Sequence, residues 1–347
     1  MTPEPRPLSE RVEAPEHVDL PAHHDISAWR PATVADIDGI WQLDRAMGSV
    51  DHPNYLATRE EVAEDFGFSH FDPERDSLVG LDADGRIVAS GMCLFPPGQE
   101  TLVRSILVGG VHPSLRGRGI GRQLLQWQRA RASQQLASSS KTLPGWIMVY
   151  TDERAPQNSR LFERAGMRLV RYFVSLERAL QEPIRSFELP DGIRIEQYRP
   201  ELSAAVHSAR NEVFMDHWGS QPVTDEMWGS FVGAETFSAK LSFVALAAIP
   251  GGEQEVAGFL MSSVNEDDWQ NQGFTGSYID LVGVQKRWRG RHIAQALLAA
   301  QLEAGRALRH ERATLDVDVD SPTGALGVYT GMGFYPTQRN RAYTLEY

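Results

Sequence analysis

The feature that most limits the fold of this 347-residue chain is an internal repeat. Two basic, glycine-containing turns occur, Arg116-Gly117-Arg118-Gly119-Ile120-Gly121 and Arg289-Gly290-Arg291-His292-Ile293-Ala294, and their leading arginines lie 173 residues apart. The same order of signals surrounds each turn, as a duplicated unit requires. Each half opens on an Arg-Pro pair, Arg30-Pro31 or Arg199-Pro200, followed by apolar residues at helical spacing. Turn chemistry follows, at Asp82-Ala83-Asp84-Gly85 and Pro250-Gly251-Gly252, and predicts hairpins. A β-rich run ending in Gly-Val then leads into each basic turn, Ile106 to Val111 and Ile279 to Val284, and a helical pattern comes after it.

One hydrophobic core rarely organises so long a chain, so two domains are expected. Pro183, Pro190 and Gly192 interrupt the regular patterns and place the boundary near Leu189. The expected organisation is a flexible leader over 1–25, a first domain over 26–182 and a second over 190–347. The leader is rich in Pro, Glu and His and lacks the order of a secretion signal. Without a membrane-length apolar run, the chain reads as cytoplasmic, with no membrane partner, and as a monomer or homodimer. A net charge of −12 argues against broad nucleic-acid binding and favours a cationic substrate. The single cysteine, Cys93, lies in a strand-like run and reads as a buried, inert thiol.

A strand that ends in a turn with several N–H groups aimed at one spot, ahead of a helix N-terminus, is an anion site. Gly117, Gly119 and Gly121 would let a diphosphate approach the backbone, and Arg116 and Arg118 add positive charge. A dinucleotide fingerprint shares this spacing. Here, though, the turn sits in mid-domain after a β-meander, with no second βαβ unit behind it. No Gly-Lys-Ser/Thr closes a P-loop.

Val111 through Gly121 resembles the acetyl-CoA motif of the GNAT acetyltransferase superfamily, Arg/Gln-x-x-Gly-x-Gly/Ala. The second half departs from it at one place, with His292 where the middle glycine would stand; an α-region backbone there would need no glycine. The segments Asn158 to Met167 and Ser321 to Phe334 resemble the family's closing Asn…Tyr…Gly-Phe element. The tandem arrangement resembles the paired GNAT proteins, mycothiol synthase among them. This resemblance implies an α/β fold with a mixed sheet in two tandem acyl-CoA-binding domains, and acetyl-CoA as donor substrate without a metal. In the first half it implies cofactor contacts from Val111, the Arg116–Gly121 turn and Asn158. In the second half it implies them from Val282, Val284, Arg289, Gly290, Arg291, His292, Ile293 and Ala294.

The family's proton donor to the departing sulfur is a tyrosine in the closing helix. Tyr329 occupies that place, and Phe162 is its counterpart in the first half. The family's base lies on the strand before the turn, where Tyr278 and Asp280 share a face if the strand alternates; Ser105 and Leu107 match them in the first half. The second half is therefore expected to be catalytic and the first degenerate, with an intact loop. Acceptor choice is expected from Glu212, Asp216, His217 and Trp218, with Trp228 as a further stacking surface. The bland reading keeps the aromatics in the core and the acids in solvent. His217 and Asp216 lack a third ligand at metal-site spacing, so no metal is expected. These signals together predict transfer of an acetyl group to a small, cationic or polar amine acceptor. An acyl-CoA sensor or scaffold and a protein or peptide N-acetyltransferase are the alternatives.

Overall fold

The computed structural model describes residues 6–347 apart from 52–55, 216, 250–253 and 322–323. Asp216 and the Pro250-Gly251-Gly252 turn therefore lie outside the described residues. The chain divides into two compact units, one of residues 1–171 with 341–347 and one of residues 172–340.

In the first unit β1 (Ala28–Arg30), β2 (Ser77–Leu81), β3 (Ile87–Leu94) and β4 (Val103–Val111) pair antiparallel in sequence order, and β5 (Gly145–Asp152) joins β4 in parallel. Helix Ile120–Ala137 covers one face, packing Leu124, Leu125, Ala132 and Leu136 against Val103, Leu107, Val111 and Ile147. Helices Ile37–Asp51 and Arg59–Gly67 cover the other through Ile40 and Val62. Thr58 caps the second of these with a reciprocal bond to Glu61, which satisfies two N–H groups the helix itself leaves open.

The second unit repeats the plan. β6 (Arg168–Ala179) enters it at Tyr172, and β7 (Ile193–Gln197), β8 (Phe243–Ala248), β9 (Gln254–Ser263) and β10 (Gly276–Val284) follow as an antiparallel series. β11 (Arg312–Asp318) pairs parallel with β10 and antiparallel with the Phe173–Ala179 part of β6. Helix Ile293–Ala307 buries Leu297, Leu298 and Leu302 on one face, while helices Ser203–Phe214 and Asp225–Gly233 pack Val206, Val213 and Trp228 on the other. Fully buried Phe259, on the second of these faces, alone contributes about 2–3 kcal/mol of apolar burial. Trp228 is core here, stacked on His207 with ring centroids 5.2 Å apart, so it does not present a ligand platform.

Two features differ from the sequence expectation. β12 (Tyr335–Glu346) leaves the second unit at Arg341, and the chain end returns to the first, where Tyr347 and Gly145 exchange backbone hydrogen bonds of 2.8 and 3.1 Å. The compact units thus cross the sequence repeat at both closing strands instead of parting near Leu189. The described part of the expected loose leader is also packed: Leu8 is fully buried and Val12 nearly so, in the first unit's core, because these apolar side chains fill space beside helix Ile120–Ala137.

Candidate active site

In both units the parallel strand pair separates part-way along. β10 and β11 stay in register only from Gly276 opposite Arg312 to Tyr278 opposite Thr314, and β4 and β5 only from Val103 opposite Gly145 to Ile106 opposite Met148. Beyond Tyr278 the second unit's strands line a cavity of about 450 Å³, with Ile279, Asp280, Val282 and Val284 on one wall and Asp316, Val317 and Asp318 on the other.

The Gln285 N–H donates to the Ala257 carbonyl at 2.9 Å, toward β9. By strand alternation the N–H groups of Val284 and Val282 point the other way, into the opened side. In the first unit His112 donates to Val88 at 2.9 Å, and the Val111 N–H is turned away from β3 in the same sense.

The turns themselves form nests. Among the described residues none of the N–H groups from Gly290 to Ala294, or from Gly117 to Gly121, has a protein acceptor. Gly290 and Gly117 lie at φ 75° and 79°, and Gly119 at φ 101°. His292 takes the matching left-handed position at φ 59°, ψ 15°. That corrects the expectation of an α-region backbone needing no glycine: histidine sits in a region that disfavours a Cβ, although His is enriched there over most residues. Its ring lies 5.8 Å from that of Phe187.

The leading arginines hold the turns together. Arg289 Nε donates to the Val284 carbonyl at 3.1 Å and Arg116 Nε to the Val111 carbonyl at 3.0 Å. Arg116 also makes two 2.7 Å bonds to Asp51, so its guanidinium is committed to the turn's scaffold. Arg291 lies over the Trp288 ring at 5.0 Å. Asn158 donates to Thr151 Oγ1 at 3.2 Å.

Tyr329, on helix Ala325–Gly331, lines the second unit's cavity and packs edge-on against Phe334 at 5.9 Å. Burial pushes its phenol up to about 12. Its counterpart Phe162 is core, 5.6 Å from the Tyr343 ring. Asp280 also lines the cavity and accepts from Ser263 Oγ at 3.3 Å. The pairing of β9 and β10 slips between Ile279 and Leu281, which puts Asp280 on a bulge; β3 and β4 pair without a shift at the equivalent Leu107. Ser105 is fully buried and hydrogen-bonded to Gln135 at 2.6 Å. Tyr278 lies at the closed end of the strand pair and is not among the cavity-lining residues.

Of the acceptor candidates, His217 lines the cavity together with Phe214, their rings 4.5 Å apart. Glu212 is exposed and accepts from Gln285 at 3.3 Å, and Trp218 packs 6.2 Å from Phe173; neither lines the cavity. Asp316 and Asp318 were not singled out as acceptor residues. Their alternation in Asp316-Val317-Asp318 is the signal, since it puts both carboxylates opposite the buried Val317. In the first unit, burial and the nearby Asp65 carboxylate raise the Asp44 carboxyl to about 7, while burial and the neighbouring Glu64 and Glu61 raise that of Asp65 to about 6. Cys93 is fully buried, which pushes its thiol up and keeps it inert.

Two layered units with a parallel pair that splays above an amide-lined turn define an acyl-CoA-dependent acetyltransferase architecture. The acetyltransferase (GNAT) family model matches residues 38–156 and 204–334, and the chain belongs to that family. It is an N-acetyltransferase by family and by relatives. A mycothiol acetyltransferase of Salinispora arenicola is 29% identical over 65% of this chain and 67% of its own length; one of Tsukamurella paurometabola is 24% identical over 73% and 81%. The crystal structure of a GCN5-related N-acetyltransferase from Sphaerobacter thermophilus has a TM-score of 0.67 at 25% identity, covering 92% of this chain and 95% of that one. A tandem GNAT protein from the clavulanic acid biosynthesis pathway has a TM-score of 0.65 at 16% identity, covering 92% and 98%.

Proposed function

We propose that the second unit transfers the acetyl group of acetyl-CoA to the amine of a small cationic acceptor, by direct attack in a ternary complex. The observation that carries this reading is one cavity lined at once by the amide turn, Val282, Val284, Asp280 and Tyr329. Acetyl-CoA is the donor substrate; the turn from Gly290 to Ala294 would hold its diphosphate, and the N–H groups of Val282 and Val284 would face the thioester. Asp280 takes the proton that makes the acceptor amine neutral and nucleophilic. The strand-end N–H groups receive the negative charge developing on the carbonyl oxygen.

Tyr329 has a narrower task than full proton donation. A phenol near 12 stays protonated at neutral pH, and handing its proton completely to a thiolate of ordinary pKa near 8.5 is uphill by about 5 kcal/mol. Its role is then to hydrogen-bond the sulfur as charge builds, with the proton finally reaching sulfur coming from the acceptor nitrogen. Asp280, Asp316 and Asp318 give the cavity a negative lining that favours a cation over an anion. The relatives named mycothiol acetyltransferase support a small-molecule acceptor.

The test is CoA release from acetyl-CoA against a panel of small amines, read with a thiol reagent, to which buried Cys93 adds no signal. Cationic amines are expected to raise release at least a hundredfold over background, and Asp280→Asn to lower that rate at least tenfold. Silence across the panel with acetylation of lysine peptides instead would overturn the small-acceptor reading.

A further inference from the structure

A bulge re-aims the side chain it carries and takes that residue out of the regular ladder. In the second unit β9 and β10 pair Tyr278 with Ser263 and Ile279 with Ser262, then slip, so that Leu281 rather than Asp280 meets Met261. A side chain of the neighbouring strand takes hold of the re-aimed carboxylate: Ser263 donates from Oγ to Asp280 Oδ1 at 3.3 Å.

Ser263 is itself clamped from both sides. Tyr278 of β10 pairs with it on one side. On the other, Phe237 bridges to Ser263, the Val264 N–H donates to the Thr236 carbonyl at 2.7 Å, and the Ser238 N–H donates to the Ser262 carbonyl at 2.9 Å. Phe237 in turn packs edge-on against Tyr198 and Phe231, with ring centroids 5.4 and 5.6 Å away, which anchors that segment to the core. Strand alternation turns the hydroxyl of the adjacent Ser262, fully buried, to the opposite face. The first unit has none of this. β3 and β4 pair without a slip, Leu107 stands at the position of Asp280, and the register that matches Ile106 with Leu94 puts Phe95 where Ser263 stands, packed on the hydrophobic core. Bulge, carboxylate and hydroxyl occur together in one unit and are absent together from the other.

We propose that Ser263 is a positioning residue for the base Asp280. Its hydroxyl stops rotation of the carboxylate that the bulge has aimed into the cavity. It also favours the ionised form, because a donated hydrogen bond stabilises negative charge, and Asp280 must be ionised when the acceptor ammonium arrives. The inference rests on reading Asp280 as the base that takes the ammonium proton. The cavity's other titratable side chains are His217, Arg289, His292, Asp316, Asp318 and Tyr329; none stands on β9, so exchange of the Ser263 hydroxyl leaves them in place.

NMR of the full chain carrying isotope-labelled aspartate carboxyls tests the proposal, with the Asp280 resonance identified by its loss in Asp280→Asn. Ser263→Ala is expected to move the titration midpoint of that resonance up by about half a unit or more, Ser263→Thr to restore it, and Ser262→Ala to leave it where it is. In CoA release from acetyl-CoA with the panel of small amines, Ser263→Ala is expected to lower kcat about fivefold with the KM for acetyl-CoA unchanged, and Ser263→Thr to recover the rate. An unmoved midpoint in a Ser263→Ala protein with the wild-type melt overturns the proposal, as does an unmoved kcat where Asp280→Asn is impaired; the base reading survives both. Equal release by wild type and Asp280→Asn, silence in both included, overturns the base reading itself.

Discussion

At the scale of single residues, position 292 shows what a motif conceals. The sequence displays a histidine where the family motif has glycine, and nothing in composition says whether the backbone there is left-handed. At φ 59° the cost of a side chain in that region falls on the fold, about 1–2 kcal/mol. His292→Gly is expected to raise the melting temperature by a few degrees and leave CoA affinity within threefold. A tenfold loss of affinity in calorimetry would instead assign the imidazole a phosphate contact. Tyr329 is a case where the residue was legible and its chemistry only partly so. Its place before the closing Gly-Phe is what the family resemblance implies, while burial, which raises the phenol to about 12, depends on Phe334 and the packing around it. Tyr329→Phe should lower kcat more than tenfold, a loss of about 1.4 kcal/mol or more of transition-state stabilisation, with the acetyl-CoA dissociation constant unchanged. Because the phenol stays protonated up to about 12, the variant and wild type should share one pH–rate shape between pH 6 and 10. Loss of an alkaline limb in the variant alone would place the titration on Tyr329 after all.

At the scale of elements, the β-rich run Ile279–Val284 located the strand that carries Asp280, but counting along it by twos miscounted one face. Counting by twos through β10 puts Tyr278 and Asp280 together. The slip between Ile279 and Leu281 then allows both Ile279 and Val282 to join the packing under helix Ile293–Ala307, three residues apart. A bulge leaves no mark on the residues that flank it, so period-two reasoning could not find it. Helices Ile37–Asp51 and Arg59–Gly67 carry a second element-scale property. Asp44 and Asp65 hold protons more tightly in the folded chain than in the unfolded one, so between roughly pH 4 and pH 7 the native state binds more protons. The sign follows directly: stability falls as pH rises through that window, and acidification from pH 7 to pH 5 should raise the first unit's melting temperature by several degrees. Asp44→Asn should raise the melting temperature at pH 7 and flatten most of that dependence. Scanning calorimetry at both pH values checks it, and a wild-type transition that falls on acidification would contradict the assignment.

At the scale of the whole molecule, the repeat was legible and the compact units were not. Self-similarity between Arg30-Pro31 and Arg199-Pro200, and between the two turns, gives two domains of like plan, and Pro183 and Pro190 make a cut near Leu189 look natural. Strand exchange is invisible to such signals, because a closing strand has the same alternating pattern whichever unit it joins. Here Tyr343 is 1% exposed in the first unit's core, beside Phe162, and its hydroxyl donates to Glu163 at 3.3 Å. A fragment ending at residue 189 would therefore keep the first unit's turn and helices but lose the chain that pairs with β5, leaving an open strand edge and a gap where Tyr343 packs. Such a fragment should fail to show a cooperative melt, and adding a peptide of residues 335–347 should restore one. In the intact chain Tyr343→Ala should cost about 3–5 kcal/mol. That loss should fall on the first unit's transition, though the residue belongs by sequence to the second repeat. A 1–189 fragment that melts cooperatively at the intact chain's temperature would show that the first unit closes without the returning strand.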